Sequence, residues 1–306
     1  MTTTPVESLG KEAIKVKGWF RAYKWLLMRR LSQLSILMLF LAGPWFGVWM
    51  VKGNMVSSLT VDVLPLTDPF VLLQSFLAGH VMQSTAIIGA LIVLAFYALV
   101  GGRVYCSWVC PVNIITDMAE WLRRKLGLGV AKKVSNRIRY WLLGLSLVLA
   151  MLTGMLAWEL INPVSIINRG LVFGMGFAWL MVLAIFIFDA FISSRAWCGH
   201  LCPVGAFYSL LGHGSLLRVN ASLRNECDDC MECYAVCPEP KVIIPVLKGR
   251  NAQKHIGKDA GTIIMSSNCT NCGRCIDICG KEVFSFDHRF NNYLNLKTSH
   301  QREILS

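Results

Sequence analysis

Charge is scarce in this chain: 16% of its 306 residues are charged, while 55% are hydrophobic. Soluble domains of this length carry about a quarter charged residues, so a single water-soluble core of ordinary composition is excluded. Acidic residues are the scarcer sign, 18 against 30 basic, which leaves a net charge of +12. Basic residues are themselves missing from whole stretches, with none between Gly53 and His80. A nucleic-acid partner would explain a surplus of positive charge but not its confinement to alternate segments; a bilayer explains both. The apolar residues gather in blocks before residue 195 and the last third is polar, so the composition reads as a membrane portion followed by a water-soluble domain.

A bilayer core needs about 20 apolar residues in a helix, and four segments qualify: 32–52, with Pro44 as an expected kink, 81–102, 140–161 and 170–192, where Asp189 lies near the end. Seven basic residues precede the first: Lys11, Lys15, Lys17, Arg21, Lys24, Arg29 and Arg30. Eight separate the second from the third: Arg103, Arg123, Arg124, Lys125, Lys132, Lys133, Arg137 and Arg139. Arg169 is alone between the third and fourth. The alternation predicts a multi-pass protein with both termini and the middle loop in the cytoplasm. No cleavable signal peptide is expected, because the N-terminus is basic and amphipathic and leads straight into a full-length apolar segment. Three regions follow: a basic N-terminal segment (1–31), a membrane domain (32–217) and a C-terminal domain (218–306).

Twelve cysteines are present, and eight fall into two runs, C-D-D-C-M-E-C-Y-A-V-C at 227–237 and C-T-N-C-G-R-C-I-D-I-C at 269–279. Both have the C-x2-C-x2-C-x3-C spacing of two-cluster ferredoxins, whose fourth cysteine ligates the other cluster. Cluster one is therefore expected on Cys227, Cys230, Cys233 and Cys279, and cluster two on Cys269, Cys272, Cys275 and Cys237. Zinc is the rival for any such pair, but two complete runs favour two [4Fe–4S] cubes in a ferredoxin-like α+β domain. Pro238 follows the first run and Gly280 the second, and the stretch between them, with G-R-N-A-Q-K-H, reads as an inserted surface loop.

The other four cysteines form a repeat. R-V-Y-C-S-W-V-C-P-V at 103–112 returns as R-A-W-C-G-H-L-C-P-V at 195–204, a constant offset of 92 that pairs Cys106 with Cys198 and Cys110 with Cys202. The membrane part thus reads as two tandem helix–helix–C-x3-C-P copies, related by an axis along the membrane normal. If the residues are helical, cysteines at i and i+4 share a face. Four such thiols can hold a metal or a third redox centre, cycle as dithiol and disulfide, or simply brace the junction. His200 lies inside the second motif, but Trp108 stands at the matching place in the first. Further candidates, for accepting protons from a quinol, are His80, Asp68 and Glu159, with Asn162 nearby; the methionines along the spans read as packing.

The motifs G-P-W-F-G-V-W (43–49), P-L-T-D-P (65–69), C-S-W-V-C-P (106–111), I-T-D (115–117), W-L-R-R (121–124), W-E-L-I-N-P-V-S (158–165), W-C-G-H-L-C-P-V-G-A (197–206), V-C-P-E-P (236–240) and C-G-R-C (272–275) run along most of the chain. Together they resemble the NapH family, ferredoxin-type membrane subunits of periplasmic nitrate reductase systems. The resemblance implies a quinol dehydrogenase component of the bacterial inner membrane. Such a component passes electrons to a periplasmic iron–sulfur partner of the NapG type, and from there to cytochrome c and molybdenum subunits. The cysteine motifs alone also fit regulators of nitrous-oxide respiration and polyferredoxins of oxidase assembly. Two other functions compete: a cytoplasmic-face copper reductase or assembly protein, and a non-catalytic scaffold for a ferredoxin partner.

Overall fold

The computed structural model describes residues 9–128, 135–247 and 262–291. Two short helices, α1 (Lys11–Lys17) and α2 (Trp19–Ala22), hinge at Gly18 and lead into α3 (Lys24–Phe46). Helix α3 starts eight residues before the expected first span. Pro44 falls in its last turn, next to the left-handed Gly47 that ends it, so it marks a terminus and not a mid-span kink. A three-stranded antiparallel sheet follows, β1 (Val51–Gly53), β2 (Ser57–Thr60) and β3 (Leu64–Thr67).

Then come α4 (Pro69–Leu77), α5 (Ser84–Val100), α6 (Val104–Trp108) and α7 (Val112–Lys125). The second half repeats this with α8 (Ile138–Thr153), α9 (Pro163–Phe173), α10 (Ala178–Ile187) running on through a π turn to Ile192, a second π turn at Trp197–Leu201, and α11 (Pro203–Leu211). Among the described residues α3 is the one helix long and apolar enough to cross a membrane; the other apolar helices are shorter. The apolar block 140–161 is not one helix. Helix α8 stops at left-handed Gly154, and residues up to Asn162 turn back without helical order. The block 170–192 likewise splits at Gly174 between the end of α9 and α10.

What divides these blocks is a capped helix start written twice. Asp68 precedes Pro69 and accepts from the Phe70 amide at 2.9 Å; Asn162 precedes Pro163 and accepts from the Val164 amide at 3.1 Å. An Asx N-cap with proline at N1 satisfies an amide the helix would otherwise leave bare. Six residues further on, each helix buries an amide side chain, Gln74 in α4 and Asn168 in α9.

The two copies embrace each other. Helix α3 packs on its own α6 and crosses to α9, as α8 packs on the Trp197–Leu201 turn and crosses to α4. In the same way α5 meets α11 and α10 meets α7. Reciprocal pairing of this kind is what a pseudo-two-fold relation between tandem copies requires. The repeat is thus longer than helix–helix–cysteine pair, since it includes the capped helix.

The C-terminal domain is closed by β4 (Leu217–Asn220) pairing antiparallel with β5 (Ser285–His288). Between them lie α12 (Glu232–Val236) and α13 (Arg274–Ile278), packed on each other over a core that includes Val219, Ile243, Ile264 and Phe284. Of the stretch expected to be a surface loop, Val242, Ile243, Val246 and Leu247 are buried in this core; G-R-N-A-Q-K-H lies outside the described residues.

The N-terminal segment clasps the C-terminal domain. The Gly10 amide donates to Glu232, Lys17 Nζ to the Ile276 carbonyl, and the Trp25 and Leu26 amides to the two oxygens of Asp277, each at 3.0 Å. Several basic residues expected from the sequence to mark orientation have a structural place, since Arg29, Arg103, Arg123 and Arg139 are buried.

Candidate functional site

Two cavities in the C-terminal domain are lined by four cysteines apiece. Cys227, Cys230, Cys233 and Cys279 surround one; Cys237, Cys269, Cys272 and Cys275 surround the other. The fourth cysteine of each run therefore sits with the first three of the other. Local backbone makes this arrangement. In each run the second residue after the first cysteine and the second cysteine's successor are left-handed: Asp229 and Met231 in one, Asn271 and Gly273 in the other. Paired left-handed residues curl the loop so that its thiols and amides turn inward, the geometry that cradles anionic clusters. At Gly273 no other residue serves, because φ is +72° and a Cβ would lie 2.5 Å from Trp25.

Thiol chemistry fits a cluster. Burial pushes Cys233 up to about 12, and Cys230, Cys279 and Cys227 add to the shift. Burial likewise raises Cys275, with Cys272, Cys237 and Cys269 reinforcing it. Thiols crowded like this ionise when a cationic group binds between them. The two complete ligand runs, regrouped around two separate cavities, suit two [4Fe–4S] cubes.

The second cavity abuts the duplicated cysteine motif. Three donors from the first copy reach carbonyls of the loop that bears Cys269 and Cys272: Arg103 to Asn268 at 3.0 Å, Ser107 to Thr270 at 2.7 Å and Trp108 to Asn271 at 3.1 Å. Arg103 also meets Glu239 at 3.0 Å and the Cys198 carbonyl at 3.2 Å. Arg139 joins the same Glu239 at 3.3 Å and reaches Asn268. Close packing is needed here: a Cβ on Gly102 would lie 1.7 Å from the Tyr208 carbonyl.

Neither cysteine pair lies on a continuous α-helix. A wide turn takes the Cys110 amide to the Tyr105 carbonyl at 3.0 Å and the Cys202 amide to the Trp197 carbonyl at 2.9 Å. Each second cysteine then precedes or caps the next helix, where the amides two and three residues on oppose the effect of burial on its thiol: Val112 and Asn113 for Cys110, Val204 and Gly205 for Cys202. Cys110 and Cys198 pack around one apolar cluster. Burial raises both thiols, Cys106 and Cys202 adding to each and Cys110 to Cys198; Cys202 is pushed up to about 12, by burial and then by Cys106. The thiols of the two copies thus feel one another's charge. Arg103 opposes the effect of burial at Cys106. An ion-pair node ties the copies together nearby, where Asp117 binds Arg29 at 3.1 Å, Arg195 at 2.7 Å and also Arg30. His200 sits in the second turn, and burial lowers its pKa.

Of the proton-handling candidates, the structure unites two. Asp68 accepts from the Tyr208 hydroxyl at 3.3 Å and lies near enough to Glu159 to feel its charge, while Asn162 donates to Glu159 at 3.1 Å. His80 is exposed beyond the opposite end of α4. Sequence reasoning passed over Glu239, Asn268, Arg139 and Asp277 as functional positions. Of these, only Glu239 carried a signal, standing directly after the Cys237–Pro238 pair.

A 4Fe-4S binding domain profile matches residues 84–129 and again 175–223, once on each copy of the repeat, and a 4Fe-4S dicluster domain profile matches 220–280. The chain is 47% identical to the ferredoxin-type protein NapH of Haemophilus influenzae, over 92% of this chain and 96% of that one. It is 46% identical to Escherichia coli NapH over the same shares. The methylamine utilization ferredoxin-type protein MauN of Paracoccus denitrificans is 51% identical over 89% of this chain and 93% of its own. No solved structure matches the chain.

Proposed function

The chain belongs to the NapH family of ferredoxin-type proteins, and from that premise we propose that it is a multi-pass membrane subunit that oxidises quinol and passes the electrons to a periplasmic nitrate reductase system. The observation that carries this reading is the placing of one four-cysteine cavity directly against the duplicated thiol turns. Cys227, Cys230, Cys233 and Cys279 would hold one [4Fe–4S] cube, and Cys269, Cys272, Cys275 and Cys237 the other. When bound, such clusters supply one-electron transfer. A quinol releases two protons with its two electrons, and Asp68 and Glu159 are the carboxylates positioned to take them.

Four membrane passes with cytoplasmic termini are supported by the alternating basic segments and by apolar side chains left on the surface, including Trp141 at 81%, Phe173 at 85% and Phe177 at 87% exposed. Lys52, at the edge of the expected outer loop, is paired with Asp62 at 2.7 Å. Cys106, Cys110, Cys198 and Cys202 would form a third redox or metal centre between the bilayer and the cubes, and the 4Fe-4S profile matching each copy supports this. The expected partner is a periplasmic iron–sulfur protein of the NapG type, with a cytochrome c beyond it. Similarity to MauN favours a second reading of the destination alone: the same quinol-linked module serving another redox branch.

Anaerobic purification with metal counting and electron paramagnetic resonance, before and after a reduced quinol analogue is added, tests the proposal. About eight irons per chain would fill the two cavities, and about twelve would include the thiol turns. Clusters that quinol reduces are the expected result. Stoichiometric copper lost on Cys106→Ala or Cys198→Ala would favour metal handling instead, and clusters indifferent to quinol would sink the proposal.

A further inference from the structure

Two indole groups that the iron–sulfur chemistry does not use meet where the non-helical stretch before Asn162 reaches the second thiol turn. Trp158 and Trp197 stack with ring centroids 6.5 Å apart and planes 28° from parallel. Trp158 is only 6% exposed, and the Nε1 of each ring has no hydrogen-bond partner among the described residues. A buried indole N–H left bare loses the bond it would make in water. Two such donors on stacked rings therefore point to a ligand that brings acceptors. The indole N–H donates only, so the missing group is an oxygen and not another N–H.

The surroundings narrow the class. Trp158 and Trp197 share an apolar cluster with Phe70, Tyr208 and Cys202, and Trp197 also packs in the cluster that holds Cys110 and Cys198. Flat aromatic walls suit a planar ring. Two carboxylates adjoin this cluster: Asp68, hydrogen-bonded to its member Tyr208, and Glu159, next to Trp158 in the chain and tethered by Asn162. Burial, with Glu159 adding, raises the Asp68 carboxyl to about 6, against the opposing effect of the Phe70 amide and Tyr208 hydroxyl. On the outer side Leu160 and Ile161 are exposed at 67% and 54%, an apolar way out for a hydrocarbon tail.

We propose that Trp158 and Trp197 bind the head group of a quinol, their N–H groups donating to its oxygens while its hydroxyls donate to Asp68 and Glu159. This rests on the quinol-oxidising reading above and names its substrate site. The non-helical stretch from Gly154 to Asn162 then has a purpose, because it brings Trp158 and Glu159 inward where a continuous helix would carry them away from Trp197.

The test is equilibrium binding of 2-heptyl-4-hydroxyquinoline N-oxide, a quinol mimic whose own fluorescence is quenched on binding, to the full-length chain in lipid nanodiscs. Loss of one buried hydrogen bond, or of the charge that strengthens one, should weaken binding by about tenfold, so Trp158→Phe, Trp197→Phe and Glu159→Gln are each expected to raise Kd by about that factor. Trp141→Phe, on an exposed face of α8, should leave Kd unchanged, and iron content reports whether each variant is folded. If the first three variants keep wild-type iron and wild-type Kd, the site is wrong and the quinol reading stands. If the wild-type chain fails to bind the probe, both are overturned. Glu159→Gln, closer to the surface, keeps the test decisive should either tryptophan variant fail to fold.

Discussion

The Arg103 guanidinium meets the Glu239 carboxylate at 3.0 Å across 136 positions of sequence. Arg139 shares that carboxylate from the second copy, and all three side chains are nearly or fully buried. One acidic group thus joins both halves of the repeat to the loop that follows Cys237. Removing one member of a buried ionic cluster costs about 3–5 kcal/mol, because the remaining charges stay desolvated without a partner. Glu239→Gln is expected to lower thermal stability in detergent by that order, and Glu239→Asp by less. Equal melting curves for wild type and Glu239→Gln would show that the triad carries no stability.

Asp117 makes a prediction about pH. Burial alone would raise its carboxyl, but Arg195, Arg29 and Arg30 together hold it at about 2. A depressed folded-state pKa contributes stability that is complete above the unfolded value near 3.8 and is lost as pH falls towards 2. The shift corresponds to about 2 kcal/mol at neutral pH. The stability gap between wild type and Asp117→Asn should therefore be flat from pH 8 to 5 and narrow only below about 4. A gap that closes between pH 7 and 5 would contradict the ion-pair node.

Cysteine grouping is tested by pairs of substitutions. Cys279→Ser should remove the same cluster signal as Cys227→Ser, although the two lie in different runs, and each should lose about four irons. Cys237→Ser should match Cys272→Ser. If Cys279→Ser instead matches Cys272→Ser, the exchange of fourth ligands between the runs is wrong.

Gly102 admits no side chain, since a Cβ would lie 1.7 Å from a backbone carbonyl that cannot rotate away. Gly102→Ala must part α5 from α11 and is expected to cost about 3 kcal/mol or more. Gly144→Ala, where a Cβ meets nothing within 4 Å, should be neutral or slightly stabilising, and thermal unfolding of the two variants side by side measures the contrast.

The chemistry of the cysteines was legible because ligand spacing is a local property: three residues of chain decide which way a thiol turns. The duplication was legible because both copies kept R-x-aromatic-C-x3-C-P-V. Composition misjudged the path between them. Residues 140–161 are apolar throughout, and hydropathy cannot tell a helix that continues from one that ends at Gly154 and returns to an Asn162 cap. It likewise gave no warning that Arg29 and Arg139 do the same job, donating to the Ser107 and Gly199 carbonyls at 3.1 and 3.2 Å. Carbonyl acceptors leave no mark in a sequence, so these arginines registered only as markers of orientation.

The clasp between the N-terminal segment and Asp277 sets a timetable. Trp25 and Leu26 leave the ribosome some 250 residues before the carboxylate that receives their amides. At synthesis rates of roughly 5–20 residues per second, the first helix waits many seconds for its partner. During that interval the loops destined for Cys269 to Cys279 have not been made, and the N-terminal segment can meet Gly273 and Asp277 only after them. Metal loading therefore has a natural window late in biogenesis, before the beginning of the chain locks against its end.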